Sequence, residues 1–523
     1  MEAWLNHNCE IIVSLELPIK GIVGVIGGSE QDVTKALRSL DTPSSAVPDA
    51  VELRADLFDN PRAALDILET VPRSLSVIFT VRLPDHGGKY EGDEPARIRL
   101  YRDAISRGAS LVDAEWESPA ASALAREKAP LLVSHHDFHA MPDAVTLERL
   151  TREMSSLSPR AMKLVPTAEC PGDGLRMLEW VRSREAGSPH RIGFAMGETG
   201  LLSRVLSTAW GAPFTYAALG AQVAPGQTSV SDLRDLYRSA ELDRDTRVLG
   251  VIGNPVVHSL SPHMHNPALQ AHGIRAVYLP IRLGDFTELE PIVDPLGIDG
   301  LSVTIPFKAE ALRFANQPDS QARSSGAANT LVVRRGSGGE RTVLAYNTDF
   351  DGVLGPLRRR SLDPRGLSTG ILGNGGAARG AAVALHGAGA RVTIYYRNRE
   401  RGRPVAEALG VDSAPLPDLT AGRHQLIINA TPLGMKAGDP SPAPPTVFDA
   451  HTTAFDMVYD PPETPFLEAA RESGSGTIPG REMLICQGLV QFKLFTGEEA
   501  TYEELEAGFL NGQAARQAGL LGS

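Results

Sequence analysis

Short apolar runs rich in β-branched residues recur along roughly the first 220 positions, separated by longer stretches whose apolar residues follow helical spacing. The runs are Ile11–Leu15, Ala50–Leu53, Leu75–Val81, Ser110–Ala114, Pro130–Ser134, Ala161–Val165, Arg191–Ala195 and Pro213–Ala218. Alternation of this kind predicts β/α units. Eight of them in roughly 200 residues match the size of a (β/α)8 barrel.

Polar residues at the ends of these runs change the picture from fold to chemistry. The second run ends in Glu52, Arg54 and Asp56, the third in Arg82, the fourth in Asp113 and Glu115, and the fifth in His135, His136 and Asp137. The sixth carries Lys163 between apolar neighbours, the seventh leads to Glu198 and Arg204, and the eighth to Gln227. In a (β/α)8 barrel the carboxyl ends of the strands form the active site, so these side chains are expected to converge. Singly, each has a structural reading: Lys163 as a strand-end residue that snorkels, Glu52 with Arg54 as a barrel ion pair, His136 as a core histidine, Arg204 as a surface charge. A lysine enclosed by apolar groups is also the usual nucleophile for imine formation with a carbonyl.

The motifs Val51-Glu52-Leu53-Arg54-Ala55-Asp56, Ser134-His135-His136-Asp137-Phe138, Lys163, Met196-Gly197-Glu198 with Ser203-Arg204, and Ala224-Pro225-Gly226-Gln227 resemble type I 3-dehydroquinate dehydratase over residues ~10–240. That resemblance implies that Lys163 forms an imine with the substrate ketone and that His136 carries the proton, with Glu52 hydrogen-bonded to His136 as its orienting partner. It further implies that Arg204 and Arg82 hold the substrate carboxylate and hydroxyls, with Arg54 and Gln227 completing the polar floor. Val223 stands where the family commonly has serine, which puts one lid hydrogen bond in doubt.

After a short charged segment, residues 241–247, a new apolar strand begins at Val248. A tether this short predicts that the two halves touch. The second half opens with His258-Ser259-Leu260-Ser261-Pro262 before a helix-like run, a pattern that suits either an N-cap or a carboxylate site. Leu301-Ser302-Val303-Thr304-Ile305-Pro306-Phe307-Lys308, Ala328-Asn329-Thr330 and Asn347-Thr348-Asp349 follow. Lys308 and Asp349 alone read as a surface ion pair or as unrelated charges. Further on, a strand leads into Gly373-Asn374-Gly375-Gly376-Ala377-Ala378 and an alanine-rich helix. This has the Gly-x-Gly-x-x-Ala form of a dinucleotide-binding turn. The next strand, Arg391–Tyr396, ends in Arg397, where an NAD site usually carries an acidic residue, and a basic one favours the 2′-phosphate of NADP.

These motifs, with Asn429-Ala430-Thr431-Pro432-Leu433-Gly434-Met435, Asp456-Met457-Val458-Tyr459-Asp460-Pro461 and Met483-Leu484 with Gln487-Gly488, resemble shikimate dehydrogenase over residues ~246–515. By that resemblance Ser259 and Ser261 hold the substrate carboxylate, and Thr304, Asn329, Asp349 and Gln487 bind ring hydroxyls. Lys308 becomes the acid/base, with Asp349 in its hydrogen-bond network. Gly373, Gly375, Gly376, Ala377, Arg397, Thr431 and Met457 become the cofactor contacts. Ser302 stands where many members have asparagine. Tyr396 and Asp460 also replace asparagines, and the Tyr396 ring is expected near the adenine.

The implied architecture is α/β throughout: a (β/α)8 TIM barrel over residues 1–240, a linker at 241–247, a substrate-binding α/β domain at 248–365, a Rossmann-like NADP-binding domain at 366–480, and C-terminal helices at 481–523 that return to the substrate domain. The implied activity is dehydration of 3-dehydroquinate followed by NADPH-dependent reduction of 3-dehydroshikimate to shikimate. The alternatives are a second half that oxidises quinate, and a non-catalytic sensor of these metabolites. Composition narrows the setting. A net charge of −12 argues against nucleic acid or an anionic membrane as partner. No run approaches the ~18 apolar residues of a membrane span, and the N-terminus lacks a signal-peptide pattern. Three scattered cysteines, Cys9, Cys170 and Cys486, form neither a disulfide framework nor a zinc site, so no metal is expected and a reducing cytoplasm fits.

Overall fold

The computed structural model describes residues 17–40, 47–220 and 227–517. Eight parallel strands form the first sheet: β1 (Gly21–Ile26), β2 (Ala50–Arg54), β3 (Ser76–Thr80), β4 (Leu111–Glu115), β5 (Leu131–Asp137), β6 (Ala161–Pro166), β7 (His190–Gly193) and β8 (Phe214–Ala218). Neighbours follow sequence order, and β1 closes back onto β8, leaving only β7 and β8 without a ladder. The result is a nearly closed (β/α)8 barrel. Seven of the expected runs are strands, and the first, Ile11–Leu15, lies outside the described residues; β1 is Gly21–Ile26, a run whose glycines read as loop.

Alternate residues along each strand face the barrel axis. Ala50, Ile78, Leu111, Leu132, Ala161, Ile192 and Phe214 fill the lower interior. Two residues further along the respective strands come Glu52, Thr80, Asp113, Ser134, Lys163, Phe194 and Tyr216. Met162 and Leu164, the residues flanking Lys163, belong instead to the apolar layer between strands and helices. The two-residue period of the strand therefore turns Lys163 inward while its neighbours secure the helices.

A second sheet contains β9 (Arg247–Gly253), β10 (Ala276–Arg282), β11 (Ile298–Val303), β12 (Gln317–Pro318), β13 (Thr330–Arg335) and β14 (Arg341–Tyr346), in the order β10-β9-β11-β13-β14-β12. The third is all parallel: β15 (Ser368–Leu372), β16 (Arg391–Tyr396), β17 (Asp412–Pro415), β18 (Leu426–Asn429), β19 (Thr453–Asp456) and β20 (Gly476–Ile478). Its order, β17-β16-β15-β18-β19-β20, is that of a doubly wound dinucleotide-binding sheet. The helix Gly480–Thr496 packs back against Asp349–Arg359, and Tyr502–Gln517 against Ser261–Ala271.

The barrel and the second sheet are in contact. Leu175, Leu178, Leu202 and Val205 on barrel helices share one contiguous apolar cluster with Val277, Leu279, Ile281 and Ile298 of the second sheet. Arg238 donates to the carbonyl of Ala276 at 3.1 Å. At the rim, Arg282 at the end of β10 lies 3.9 Å from Glu198, which the barrel cavity does not include.

Candidate active sites

The carboxyl ends of the barrel strands enclose a cavity of about 300 Å³ lined by Glu52, Arg54, Arg82, His136, Lys163, Arg204 and Gln227, together with His86, Phe194 and Tyr216. Lys163 is buried, with its Nζ 2.5 Å from Asp113 Oδ2, 3.6 Å from Glu52 Oε1 and 4.4 Å from the Tyr216 ring centre. Asp113 also meets Arg82 at 2.8 Å and accepts from Ser134 at 2.6 Å. Burial opposes its charge, but Arg82 and Lys163 outweigh burial and hold its carboxyl well below the ordinary range. Arg82 continues to Glu115 at 3.3 Å, and Glu115 pairs with the buried Arg97. Arg54 is held by Asp56 at 2.8 Å.

Two groups in this cavity lack the partners that burial normally requires. Arg204 is 3% exposed and has no carboxylate partner among the described residues; it donates to the Tyr216 carbonyl at 3.0 Å and stacks over Phe194 at 4.2 Å. Burial alone pushes its pKa down to about 10. A desolvated guanidinium without a carboxylate can take an anion as partner. His136 Nδ1 is buried without a hydrogen bond. Burial, then Arg82 and Lys163, push its pKa well below 6.5, which keeps the ring neutral and able to accept a proton. The expected Glu52–His136 hydrogen bond is not formed: Glu52 instead accepts from Thr80 at 2.7 Å, because both face the same interior layer. Val223 and Ala224-Pro225-Gly226 lie outside the described residues.

A second cluster gathers around the carboxyl ends of β9 and β11. Lys308 opens the helix Lys308–Phe314 and pairs with Asp349, which opens Asp349–Arg359. Asn329 Nδ2 donates to Asp349 Oδ1 at 2.9 Å, while its Oδ1 accepts from the backbone N–H of Thr348 at 2.8 Å, fixing which way the amide faces. Gln487 reaches Thr348 at 3.4 Å, and Ser259 Oγ accepts from the Ser261 N–H at 3.2 Å. Thr304, on the turn after β11, completes the group and donates its backbone N–H to Ile252 at 2.9 Å. Ser302 spends both its hydrogen bonds within the core: it accepts from Tyr278 at 2.6 Å and donates to Gln491 Oε1 at 2.8 Å. Asp460 pairs with Arg516, which also donates to the His258 carbonyl beside Ser259.

The third sheet presents its glycine turn at the switch point between β15 and β18. Gly373 has φ +111°, and a side chain there would meet Ala430 O and Thr431. Gly375 and Gly376 have nothing within 4 Å of where a Cβ would stand, so the N-terminus of Gly376–Gly387 is open to a pyrophosphate. Ala377 is exposed on the first turn of that helix. Thr431 donates to Asn429 Oδ1 at 2.7 Å, and the Met457 N–H to the Asn429 carbonyl at 3.0 Å. Arg397 is exposed and has no ion-pair partner among the described residues. The Tyr396 ring is buried and packs against Gly402 on the helix Arg399–Leu409.

Tyr216 and His86 line the cavity although the sequence did not single them out. Asp113 stood among the strand ends, but its contact with Lys163 crosses the barrel and has no local signal. Tyr216 reads as core in an apolar strand, and His86 lies in a loop.

Two family models match the chain: type I 3-dehydroquinase over residues 27–244, and the shikimate dehydrogenase substrate binding domain over residues 251–331. A bifunctional 3-dehydroquinate dehydratase/shikimate dehydrogenase, chloroplastic, of Arabidopsis thaliana is 32% identical over 482 residues, covering 87% of this chain and 79% of that one. A shikimate dehydrogenase (NADP(+)) of Ignicoccus hospitalis is 38% identical over 264 residues, 49% of this chain and 96% of its own. The crystal structure of shikimate 5-dehydrogenase from Thermus thermophilus in complex with NADP(H) and shikimate is 31% identical and covers 51% of this chain and 99% of that one, with a TM-score of 0.46. The chain belongs to the family of bifunctional 3-dehydroquinate dehydratase/shikimate dehydrogenases.

Proposed function

We propose that the chain dehydrates 3-dehydroquinate in its barrel and reduces the resulting 3-dehydroshikimate to shikimate in its second half. The observation that carries the first step is one cavity holding a buried lysine, a neutral histidine and an arginine without a carboxylate. Arg204 receives the substrate carboxylate and places the ketone over Lys163. As the Lys163 nitrogen becomes an iminium, its ammonium sheds two protons, which leave with the carbonyl oxygen as water. The iminium draws electrons from the adjacent carbon, His136 takes the proton there, and the β-hydroxyl leaves as water with a proton returned by His136; a water then hydrolyses the product iminium, releasing the ketone and restoring the Lys163 ammonium. Asp113 keeps the lysine oriented, while Glu52, Arg54, Arg82 and Gln227 bind the hydroxyls.

In the second half Ser259 and Ser261 bind the carboxylate, and Thr304, Asn329, Asp349 and Gln487 the ring hydroxyls. Lys308, held by Asp349, gives its proton to the carbonyl oxygen as that oxygen becomes a hydroxyl. The open glycine turn and the exposed Arg397 suit NADP, which supplies the hydride when bound. Thr431 and Met457 would add contacts to the bound cofactor. The described cysteines, Cys170 and Cys486, are unpaired, which suits a cytoplasmic setting. Among the described residues no helix is long and apolar enough to cross a membrane.

The test is borohydride reduction of the purified chain with 3-dehydroquinate, followed by peptide mass mapping, beside assays of NADPH oxidation with 3-dehydroshikimate and of NADP reduction with shikimate and with quinate. An adduct on Lys163 and turnover of shikimate in preference to quinate support the reading. No adduct, or one elsewhere, refutes the barrel chemistry, and quinate preference refutes the assignment of the second half.

A further inference from the structure

Three imidazoles crowd the mouth of the barrel, and the chemistry above uses one of them. His86, in the loop after β3, lines the same cavity as His136 and Lys163. Its ring stands edge-on to His136 with centroids 6.4 Å apart, and edge-on to His135 at 5.8 Å. The Nδ1 atoms of all three rings are buried and make no hydrogen bond. Burial pushes the pKa of each below 6.5. Each ring is therefore a neutral imidazole with one N–H donor and one bare acceptor nitrogen, the form that can take a proton on one side and release one on the other.

The charges around the cluster are graded. After burial, the groups acting on His136 are Arg82, Lys163, His86 and Arg54, all of which disfavour its charge. His86 also faces Arg82, but carboxylates join it there: Glu115, Glu117 and Asp85. His135 faces Asp137 and Glu117, opposed by Arg149. Beyond His86 the rim opens to solvent, where Pro84, Asp85 and Gly87 are exposed. With their centroids 6.4 Å apart, His86 and His136 cannot share a direct hydrogen bond, so a proton passing between them needs a bridging water.

We infer that His86 is a positioning residue for proton traffic: through one bridging water it passes the proton that His136 removes from the substrate to and from solvent at the Pro84–Gly88 loop. His86 accepts at one ring nitrogen and releases from the other, so its own charge is unchanged after each transfer. Net dehydration conserves the proton, which leaves with the hydroxyl. The relay shows itself when the substrate carbon is reprotonated instead, because the returning proton has then come from solvent. This inference rests on the dehydratase reading.

The full chain is given 3-dehydroquinate in D2O, the reaction is stopped early, and recovered substrate is examined by mass spectrometry for deuterium beside the ketone carbon. Wild type should return deuterated substrate. His86→Phe should lower the ratio of exchange to dehydration about tenfold, the rate equivalent of one lost hydrogen-bonded link. His86→Gln, which keeps a donor and an acceptor but cannot pass a proton, should behave like His86→Phe. Borohydride trapping at Lys163 in each variant reports that the site is folded. Undeuterated substrate from wild type, or an unchanged ratio in either trapped variant, overturns the relay. Failure of wild type to trap at Lys163 overturns the dehydratase reading instead.

Discussion

Replacing Arg204 by methionine tests whether the barrel stores an unpaired charge for its substrate. Burial lowers the guanidinium pKa from 12.5 to about 10, which corresponds to roughly 3 kcal/mol against the charged, empty form. The hydrogen bond to the Tyr216 carbonyl offsets about 1 kcal/mol of this, and the contact with Phe194 about 0.5–1 kcal/mol. The Arg204→Met variant should therefore be more stable than wild type without substrate by about 1–2 kcal/mol, or about 3–6 °C in the melting of the barrel. The folded pKa lies below the unfolded one, so the unfolded state holds this proton more tightly. The penalty is fully present below about pH 10 and does not titrate across the neutral range. Loss of the carboxylate contact should raise KM for 3-dehydroquinate by at least about 100-fold. The assays are calorimetry of the free proteins and dehydratase kinetics. A free variant that melts at or below the wild-type temperature, with KM unchanged, refutes the reasoning.

Arg397→Ala should raise KM for NADPH about tenfold and leave KM for NADH unchanged, because only the 2′-phosphate loses a partner; equal effects on both would place Arg397 elsewhere. Gln491→Leu should destabilise the second half by about 2–3 kcal/mol, since the Ser302 hydroxyl and the Asn329 carbonyl lose buried partners; a denaturant midpoint unchanged at constant slope would deny that network its weight. The acid limb of dehydratase kcat/KM should fall below pH 6.5, because the base is neutral His136 and its folded pKa is depressed. Protonation removes activity as pH falls through that lowered value, and a limb at or above 6.5 would show a different base.

Strand periodicity made most of the barrel legible, because a parallel strand buried on both faces is apolar except where it carries chemistry. The run Gly21–Ile26 was hidden by its glycines, which serve a strand start and a tight exit and look like loop from the outside. Lys163 was conspicuous for the reason it is buried: a two-residue period turns it from the helix layer into the interior. What the strand pattern could not supply was pairing across the barrel. Asp113 lies two strands from Lys163 yet touches it, while Glu52 is engaged by Thr80 on the adjacent strand. Contacts of this kind follow from closure of the sheet and leave no trace in local spacing. Ser302 shows the opposite case, a visible substitution whose consequence is confined to the hydrogen bonds behind the cleft.

The apolar cluster that runs from the barrel helices into the second sheet makes the two halves thermodynamic partners. Cutting the chain near residue 244 would expose Ile281, Leu279 and their barrel counterparts to water, so each fragment would begin life with an aggregation-prone face. In the intact chain the shared layer is expected to couple the unfolding of one half to that of the other. A ligand that tightens one half is then expected to delay the melting of the other, by an amount growing with the logarithm of ligand concentration.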